Sequence, residues 1–189
     1  MCLNNETWSL NRLSFNIRAM VKTIRNCFSP ASNEGPVERY IKWNHNNYSG
    51  IILNVDGSCL DSPVGSGFGG IIRNTFGHYL VGFSCFIQGS SDILLVELYA
   101  IYKGLLLAKD MSIDDLVCYS DSLHCVNLIK GPFVKYHIHA VLIQDIKELL
   151  FQSNIYLYDT LREGNQCADF FAKLGASSDT DFSTDASPP

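Results

Sequence analysis

The sequence has no apolar run that approaches the roughly 18 residues needed to cross a bilayer. Its most apolar stretch, Ile93–Ala108, is interrupted by Glu97, Lys103 and Gly104, a pattern that favours a buried helix. We therefore expect no membrane partner. The hydrophobic content of 47% and aromatic content of 12% instead predict a folded globular domain rather than a disordered chain.

Cysteine pairs at a metal-binding spacing are also lacking. The seven cysteines are an odd number and include no CxxC pair, so the sequence does not predict a zinc site. The N-terminus shows no secretory pattern of a charged start, an apolar run and a small-residue cleavage site. We expect free thiols in a reducing, intracellular compartment, with the nucleus and the cytoplasm both open.

Positive charge is scarce, although nucleic-acid-binding proteins tend to be basic. The net charge is −5. Residues 1–30 carry four basic side chains and one acidic side chain, a balance of +3, so the rest of the chain holds −8. An acidic domain is compatible with phosphate chemistry only if bound cations offset part of its charge.

The first 47 residues are predicted to form an amphipathic helix followed by a linker. Apolar side chains recur at helical spacing over residues 9–28, with basic side chains between them. Three interpretations are open: a helix that packs on the domain or is left from a longer ancestor, an organelle-targeting peptide, and a helix on a membrane surface.

The pattern of a compact domain covers residues 48–176, and the polar tail 177–189 is predicted to be disordered. The strand candidates are Ile51–Val55, Gly67–Arg73, His78–Phe86, Leu116–Ser120 and Ile155–Tyr158. The helix candidates are Ile93–Lys109, a segment from Asp121 or Ser122 to Gly131, Ile138–Phe151, and a segment from Asn165 to Leu174 that Gly175 ends. This order predicts an α/β fold with a five-stranded mixed sheet, three antiparallel strands and then two parallel ones, flanked by helices.

Four carboxylates stand at or near apolar segments, and each also has an ordinary structural interpretation. Asp56 ends a strand and would also suit an Asx turn. Glu97 lies within an apolar helix and would also suit an ion pair with a buried base. Asp121 follows a strand and would also suit a helix N-cap. Asp169 lies in the last helix and would also suit a solvated helix face.

Taken together, the four carboxylates favour a site for divalent metal ions. Like charges held close in a dry site repel one another or shift in pKa unless cations neutralise them. Oxygen-rich clusters favour Mg²⁺ or Mn²⁺. Paired ions of this kind activate water and stabilise the leaving oxygen during phosphodiester cleavage.

Four motifs, in the same order along the chain, resemble ribonuclease H. The stretch from Asn54 to Arg73 resembles its opening hairpin, and Glu97-Leu98-Tyr99-Ala100 resembles its central-helix motif. Ser120-Asp121-Ser122 resembles its fourth-strand motif. Residues 162–169 (REGNQCAD) resemble the closing motif of the reverse-transcriptase-linked, retroelement-derived domains of this family that are abundant in plant genomes.

The resemblance implies a ribonuclease H-like fold and an endonuclease, acting as a monomer, that cuts the RNA strand of RNA–DNA hybrids. It implies that Asp56, Glu97, Asp121 and Asp169 bind two Mg²⁺ ions, with Mn²⁺ as a substitute. It further implies a substrate-binding role for a small set of residues: Gly57, Ser58, Cys59, Ser62 and Asn165.

Some positions depart from the family pattern. Asp159 stands where many members have a histidine that assists proton transfer or product release. Ser62, Leu94 and Leu123 stand where well-studied members have polar groups that contact the RNA 2′-hydroxyl, and leucine offers that group no hydrogen bond. Two other interpretations therefore stay open, a catalytically weak or inactive module that binds nucleic acid or protein, and a related exonuclease.

Overall fold

The computed structural model describes residues 42–44, 46–61, 64–132 and 136–187, with the side chains of Asp61 and Val64 excepted. The predicted amphipathic helix and Ser62 lie outside the described residues. None of the helices in the described part of the chain combines the length and the apolar character that crossing a membrane requires.

The described chain forms six strands and four helices. The strands are β1 (Ile51–Asp61), β2 (Val64–Arg73), β3 (Tyr79–Ile87), β4 (Asp115–Ser120), β5 (Asn154–Asp159) and β6 (Ser183–Asp185). The helices are α1 (Ile93–Asp110), α2 (Leu123–Lys130), α3 (Ala140–Gln152) and α4 (Gln166–Ser177). A 3₁₀ turn, Arg162–Gly164, joins β5 to α4.

The strands form one mixed sheet in the order β5-β4-β1-β2-β3-β6. β1, β2 and β3 pair antiparallel, and β4 and β5 add to β1 as parallel strands. The predicted α/β fold, with three antiparallel strands and then two parallel ones, is confirmed. The sheet has one strand more than predicted, because β6 adds antiparallel to β3.

β1 lies inside the sheet, and its side chains alternate between the two faces. Leu53 and Val55 point into the main hydrophobic core, where Val96 and Ile101 of α1 and Ile146 of α3 are also buried. The opposite face of β1 presents Asn54, Asp56 and Ser58, which are polar but buried. Buried polar side chains need hydrogen-bond or cation partners, so these three residues mark a candidate site.

Close backbone packing between α4 and β2 depends on glycine. A Cβ atom at Gly67 would overlap the backbone of Gly175 and Ala176 in α4. Backbone atoms cannot move aside as the end of a flexible side chain can, so a side chain here would push α4 off the sheet.

We expect Gly67→Ala to lower the free energy of unfolding by about 3 kcal/mol. Urea unfolding measures this loss. Gly89→Ala is a matched control because Gly89 has a φ of +71° and nothing within 4 Å of an added Cβ. That control carries only the backbone cost, about 1 kcal/mol. Equal losses in the two variants would contradict the packing argument.

The prediction of a disordered tail over 177–189 was wrong for the described residues up to 187. Ser183–Asp185 forms β6, and the Phe182 ring stacks on that of Phe83 with centroids 5.6 Å apart. The Tyr79 hydroxyl also donates to the Asp185 carbonyl at 2.7 Å. One aromatic anchor and the free edge of β3 order a segment whose composition suggested disorder.

The prediction that Gly175 ends the last helix was also wrong. α4 continues to Ser177, and Gly175 is buried inside it. A Cβ atom at Gly175 would lie 2.6 Å from the Cys85 carbonyl oxygen of β3. This glycine is therefore needed for close packing on the sheet, and not for a left-handed helix end.

Residues before position 48, where the domain was predicted to begin, already pack on the sheet. Trp43 and Tyr48 pack against a second apolar cluster on the sheet, formed by Ile52, Val117 and Tyr119. The Asn46 backbone N–H also donates to the Tyr119 hydroxyl at 3.1 Å. The segment just before β1 thus covers part of the sheet that α4 leaves open.

Candidate metal centre

Asp56 occupies the polar face of β1, opposite Gly69 of β2. Its side chain is only 4% exposed, although it carries an ionisable group. It lies within the strand and not in a turn, so the Asx-turn interpretation does not apply. A carboxyl buried at this position needs a compensating partner.

Glu97 is brought to Asp56 by the start of α1. Asp92 caps this helix by accepting hydrogen bonds from the N–H groups of Leu94 at 3.0 Å and Leu95 at 3.3 Å. The helix can then approach β1 because Gly57 has no side chain, and a Cβ atom there would lie 2.9 Å from the Glu97 nitrogen. The sequence predicted a substrate contact for Gly57, and the structure places it beneath Glu97.

Asp121 follows β4 at the carboxyl end of that strand. It is not the N-cap of α2, because Ser122 holds that position, and the side chain of Ser122 makes no capping hydrogen bond. Asp121 is instead partly buried and turned towards the face that carries Asp56. Its Oδ1 accepts a hydrogen bond from Asn165 Nδ2 at 3.4 Å.

The structure brings three of the four predicted carboxylates together. Asp56, Glu97 and Asp121 each offer one oxygen atom, and these atoms lie within 4.8 Å of one another. Such spacing lets one small cation contact all three groups. We call these three residues the acidic cluster.

Burial and mutual repulsion disfavour the ionised form of two members of the acidic cluster. Desolvation, and then the charges of Asp121 and Asp169, raise the pKa of Asp56 well above its usual range. Desolvation, and then the charges of Asp56 and Asp121, raise the pKa of Glu97 in the same way. Without a cation, these carboxyls therefore hold protons at a pH where solvated carboxyls are ionised.

The acidic cluster fits a hard divalent cation. Glu97 Oε2 is buried and has no hydrogen-bond partner among the described residues. The atoms that would bind the cation are all carboxylate oxygens, the ligand type that Mg²⁺ and Mn²⁺ prefer. The alternative that Glu97 pairs with a buried base finds no support, because no ion pair to it occurs in the described part of the chain.

Asp169 lies beside the acidic cluster but outside it. Its charge contributes to the raised pKa of Asp56, which places the two groups within electrostatic reach. Its oxygens pair with Lys173 Nζ at 2.6 Å and with Arg162 Nη2 at 3.7 Å. A cavity of about 270 Å³ adjoins it, lined by Arg162, Glu163, Gln166 and Asp169.

Three other residues predicted to bind substrate, Ser58, Cys59 and Asn165, are wholly or partly buried. Ser58 is buried, and Cys59 is partly buried, with its Sγ atom 3.2 Å from the donating Ser66 Oγ. Asn165 is 1% exposed, and its Nδ2 donates to the Val55 carbonyl at 2.9 Å as well as to Asp121. It stands at the N-cap position of α4, yet its side chain makes no capping bond, because it faces the acidic cluster.

Sequence reasoning missed Asn54 and Arg73, two buried polar residues that connect to Asn165. Arg73 Nη2 donates to Asn54 Oδ1 at 2.8 Å, and Asn54 Nδ2 donates to Asn165 Oδ1 at 3.3 Å. One signal was present, because Asn54 interrupts the apolar run Ile51–Val55 two residues before Asp56 and therefore shares its face.

The chain matches a known protein family. A family model described as reverse transcriptase-like matches residues 54–175, more than half of the chain. No curated protein matches the chain.

Several solved structures share the fold. Ribonuclease H1 of the halophilic archaeon Halobacterium salinarum is 20% identical, with a TM-score of 0.59 over 66% of this chain and 96% of that one. The N-terminal ribonuclease H domain of a Mycobacterium tuberculosis protein is 20% identical, with a TM-score of 0.60 over 68% and 94%. A compost-derived ribonuclease H1 in complex with an RNA/DNA hybrid is 22% identical, with a TM-score of 0.58 over 67% and 96%. The chain therefore belongs to the reverse transcriptase-like family and has a ribonuclease H-like fold.

Proposed function

We propose that this protein is a divalent-metal-dependent endonuclease that hydrolyses the RNA strand of RNA–DNA hybrids. The observation that carries the proposal is the acidic cluster, in which three carboxylates from separate elements meet and two of them are buried. The fold supports the substrate class, since one of the solved ribonuclease H1 neighbours is bound to such a hybrid. The retroelement origin, the monomeric state and the intracellular location stay predictions from sequence.

Asp56, Glu97 and Asp121 would hold one Mg²⁺ or Mn²⁺ ion, and Asp169 would join Asp56 to hold a second. Ions of this kind supply an activated water molecule and stabilise the charge that develops on the leaving oxygen. The protein side chains keep the donor oxygens together and shield them from bulk water. The buried faces of β1 and α1 provide that shielding.

Asp169 can change partner at little cost. Lys173 is 53% exposed and Arg162 is 77% exposed, and pairs between exposed side chains contribute only about 0–1 kcal/mol. Release of Asp169 would leave the Arg162 guanidinium free at the edge of the adjoining cavity. A guanidinium there is suited to a substrate phosphate, which Arg binds through two parallel hydrogen bonds.

Asp159 lies at the same sheet edge as Asp121, because it pairs in register with Ser120. It is exposed, and as an anion it repels phosphate. We expect Asp159→His to raise hybrid-cleavage turnover about tenfold or more, since a positioned acid–base group contributes roughly 10²–10⁴-fold. Turnover is measured on a labelled hybrid at saturating Mg²⁺.

Asp159→Asn distinguishes the effect of removing the negative charge from the effect of adding a group that transfers protons. It removes the negative charge but cannot exchange a proton, so its turnover should fall between those of the wild type and the histidine variant. Equal turnover in all three proteins would show that position 159 takes no part in the reaction.

A second candidate function is a module that binds nucleic acid or protein without cutting. The specific observation in its favour is that Asp169 is already paired with Lys173 and Arg162, which would keep it from a second cation. Leu123, 54% exposed just after Asp121, also offers no hydrogen bond to a ribose hydroxyl.

A labelled RNA–DNA hybrid incubated with Mg²⁺ separates the two candidate functions, with Asp56→Asn as the blank. Cleavage above the blank supports the nuclease, and binding without cleavage supports the module. Cleavage of a circular hybrid further supports an endonuclease over an exonuclease, because a circle has no ends. Absence of cleavage above the blank on linear and circular hybrids alike would overturn the proposed function.

A further inference from the structure

Arg73, at the end of β2, is a buried guanidinium without a counter-charge. It is 8% exposed, and no carboxylate of the described residues lies within ion-pair distance of it. Its Nε has no hydrogen-bond partner among those residues, and desolvation lowers its pKa. A buried charge without an ionic partner is costly, so its placement calls for a physical reason.

Arg73 donates two side-chain hydrogen bonds, one from Nη1 to Cys167 Sγ at 3.9 Å and one from Nη2 that begins a series of bonds towards Asp121. A guanidinium only donates, so Asn54 must turn its Oδ1 towards Arg73 Nη2, 2.8 Å away. Asn54 Nδ2 then faces Asn165 and donates to its Oδ1 at 3.3 Å. Asn165 must in turn direct its Nδ2 to the Val55 carbonyl at 2.9 Å and to Asp121 Oδ1 at 3.4 Å.

The guanidinium thereby fixes the orientation of both amides. An isolated Asn side chain can exchange its oxygen and nitrogen ends by a simple flip. Here a flip of Asn54 would set its NH₂ group against the guanidinium, and a flip of Asn165 would set its oxygen against the Asp121 carboxylate. Arg73, acting through Asn54, and the Val55 carbonyl together determine which end of Asn165 meets Asp121.

We propose that Arg73 and Asn54 are positioning residues for the metal centre, which act through Asn165 to hold Asp121 in place for the cation. The inference rests on the proposed divalent-metal site and adds two residues that do not touch the ion or the substrate. Such outer hydrogen-bond partners orient ligands, and their loss typically costs about 10–100-fold in metal affinity.

The competing interpretation is that Arg73 only stabilises the fold. Its guanidinium carbon lies 4.3 Å from the centroid of the Trp43 ring, a cation–π geometry that favours the folded state by itself. On that interpretation, changes at Arg73 lower the melting temperature and leave the metal affinity unchanged. Stability and metal affinity must therefore be measured on the same variants.

The first test measures Mn²⁺ affinity by calorimetry on Arg73→Met, which keeps length and apolar packing but donates no hydrogen bond. We expect Mn²⁺ to bind about 10–100-fold more weakly than to the wild type. Arg73→Lys should recover part of the affinity, because its ammonium can donate to Asn54. Ile146→Val is the control, since Ile146 is buried in α3 and its truncation affects stability alone.

The second test reverses the direction of the hydrogen bond between residue 54 and Asn165. Asn54→Asp keeps an acceptor for Arg73, and forms an ion pair with it, so the fold is retained even if Arg73→Met fails to fold. An aspartate cannot donate to Asn165, so the Asn165 amide should turn its NH₂ group to residue 54 and its oxygen to Asp121. We expect Mn²⁺ affinity to fall about tenfold or more, although the added negative charge by itself would raise it.

Side-chain amide NMR signals provide a readout that needs no metal. In Arg73→Met and in Asn54→Asp, the Asn165 amide signals should shift and their protons should exchange faster with solvent. Unchanged Asn165 signals, or Mn²⁺ affinities within about twofold of the wild type, would overturn the positioning role. Failure of the wild type to bind Mn²⁺ would instead overturn the proposed function, and the NMR comparison would still decide whether Arg73 orients Asn165.

Discussion

Asp56→Asn should abolish hybrid cleavage and weaken divalent-metal binding, while it makes the metal-free protein more stable. Loss of a metal ligand removes several kcal/mol of transition-state stabilisation, which corresponds to a rate loss of about 10³-fold or more. The same change removes one of the charges that raise the pKa of Glu97. We expect the metal-free protein to gain about 1–3 kcal/mol in its free energy of unfolding.

Opposite effects on activity and stability are the signature of a functional carboxylate cluster. Asp114→Asn is the matched control, because it makes the same chemical change at an exposed residue just before β4, at the other end of that strand from Asp121. It should leave both quantities unchanged. A less stable Asp56→Asn protein would show that Asp56 is held by attractive contacts and not by a cation.

The stability of the metal-free protein should fall as the pH rises from about 4 through neutrality, and Mg²⁺ should reverse this trend. An unfolded carboxyl has a pKa of about 4. The raised pKa values of Asp56 and Glu97 mean that the folded protein keeps protons that the unfolded chain releases above that pH. Stability therefore decreases with pH across this window, because the folded state binds more protons.

Thermal unfolding at several pH values, with and without Mg²⁺, measures this linkage. Mg²⁺ at a hundredfold excess over its Kd should add about 2.7 kcal/mol, and its effect should be larger at pH 8 than at pH 5 because the cation competes with protons. Asp56→Asn should lose the part of the pH dependence that Asp56 contributes and most of the Mg²⁺ effect, while buried Glu97 keeps a smaller pH dependence. Stabilisation by Mg²⁺ that does not vary with pH would place the ion elsewhere on the protein.

Much of the fold and three members of the site could be predicted because they leave local signals. Strands such as Leu116–Ser120 and helices such as Ile93–Lys109 show apolar patterns over many residues. A charged residue inside such an apolar segment, such as Glu97, can be recognised from the sequence because buried charges are rare. The proximity of Asp56, Glu97 and Asp121 was expected because the motifs that contain them resemble, in order, those of ribonuclease H.

The features that were missed depend on contacts between distant residues. β6 has only three residues, too few to show an alternation of apolar and polar side chains. The tail is ordered by the contact of Phe182 with Phe83, which lies about a hundred residues earlier. The role of Gly175 is decided by the β3 backbone across the interface. The pairing of Asp169 with Lys173 follows a helical i,i+4 spacing that the sequence did show, whereas its pairing with Arg162 depends on the turn before α4.

The short strand β6 has a consequence for how the protein behaves in solution. A strand at the rim of a sheet offers unpaired N–H and C=O groups to any neighbouring molecule, and natural proteins protect such rims with very short strands or charged residues. β6 occupies the backbone of β3 at Gly82, Phe83 and Ser84, and it ends in Asp185. A chain shortened at Ser177 would uncover this rim together with the Phe83 ring, and we expect self-association through the exposed β3 edge.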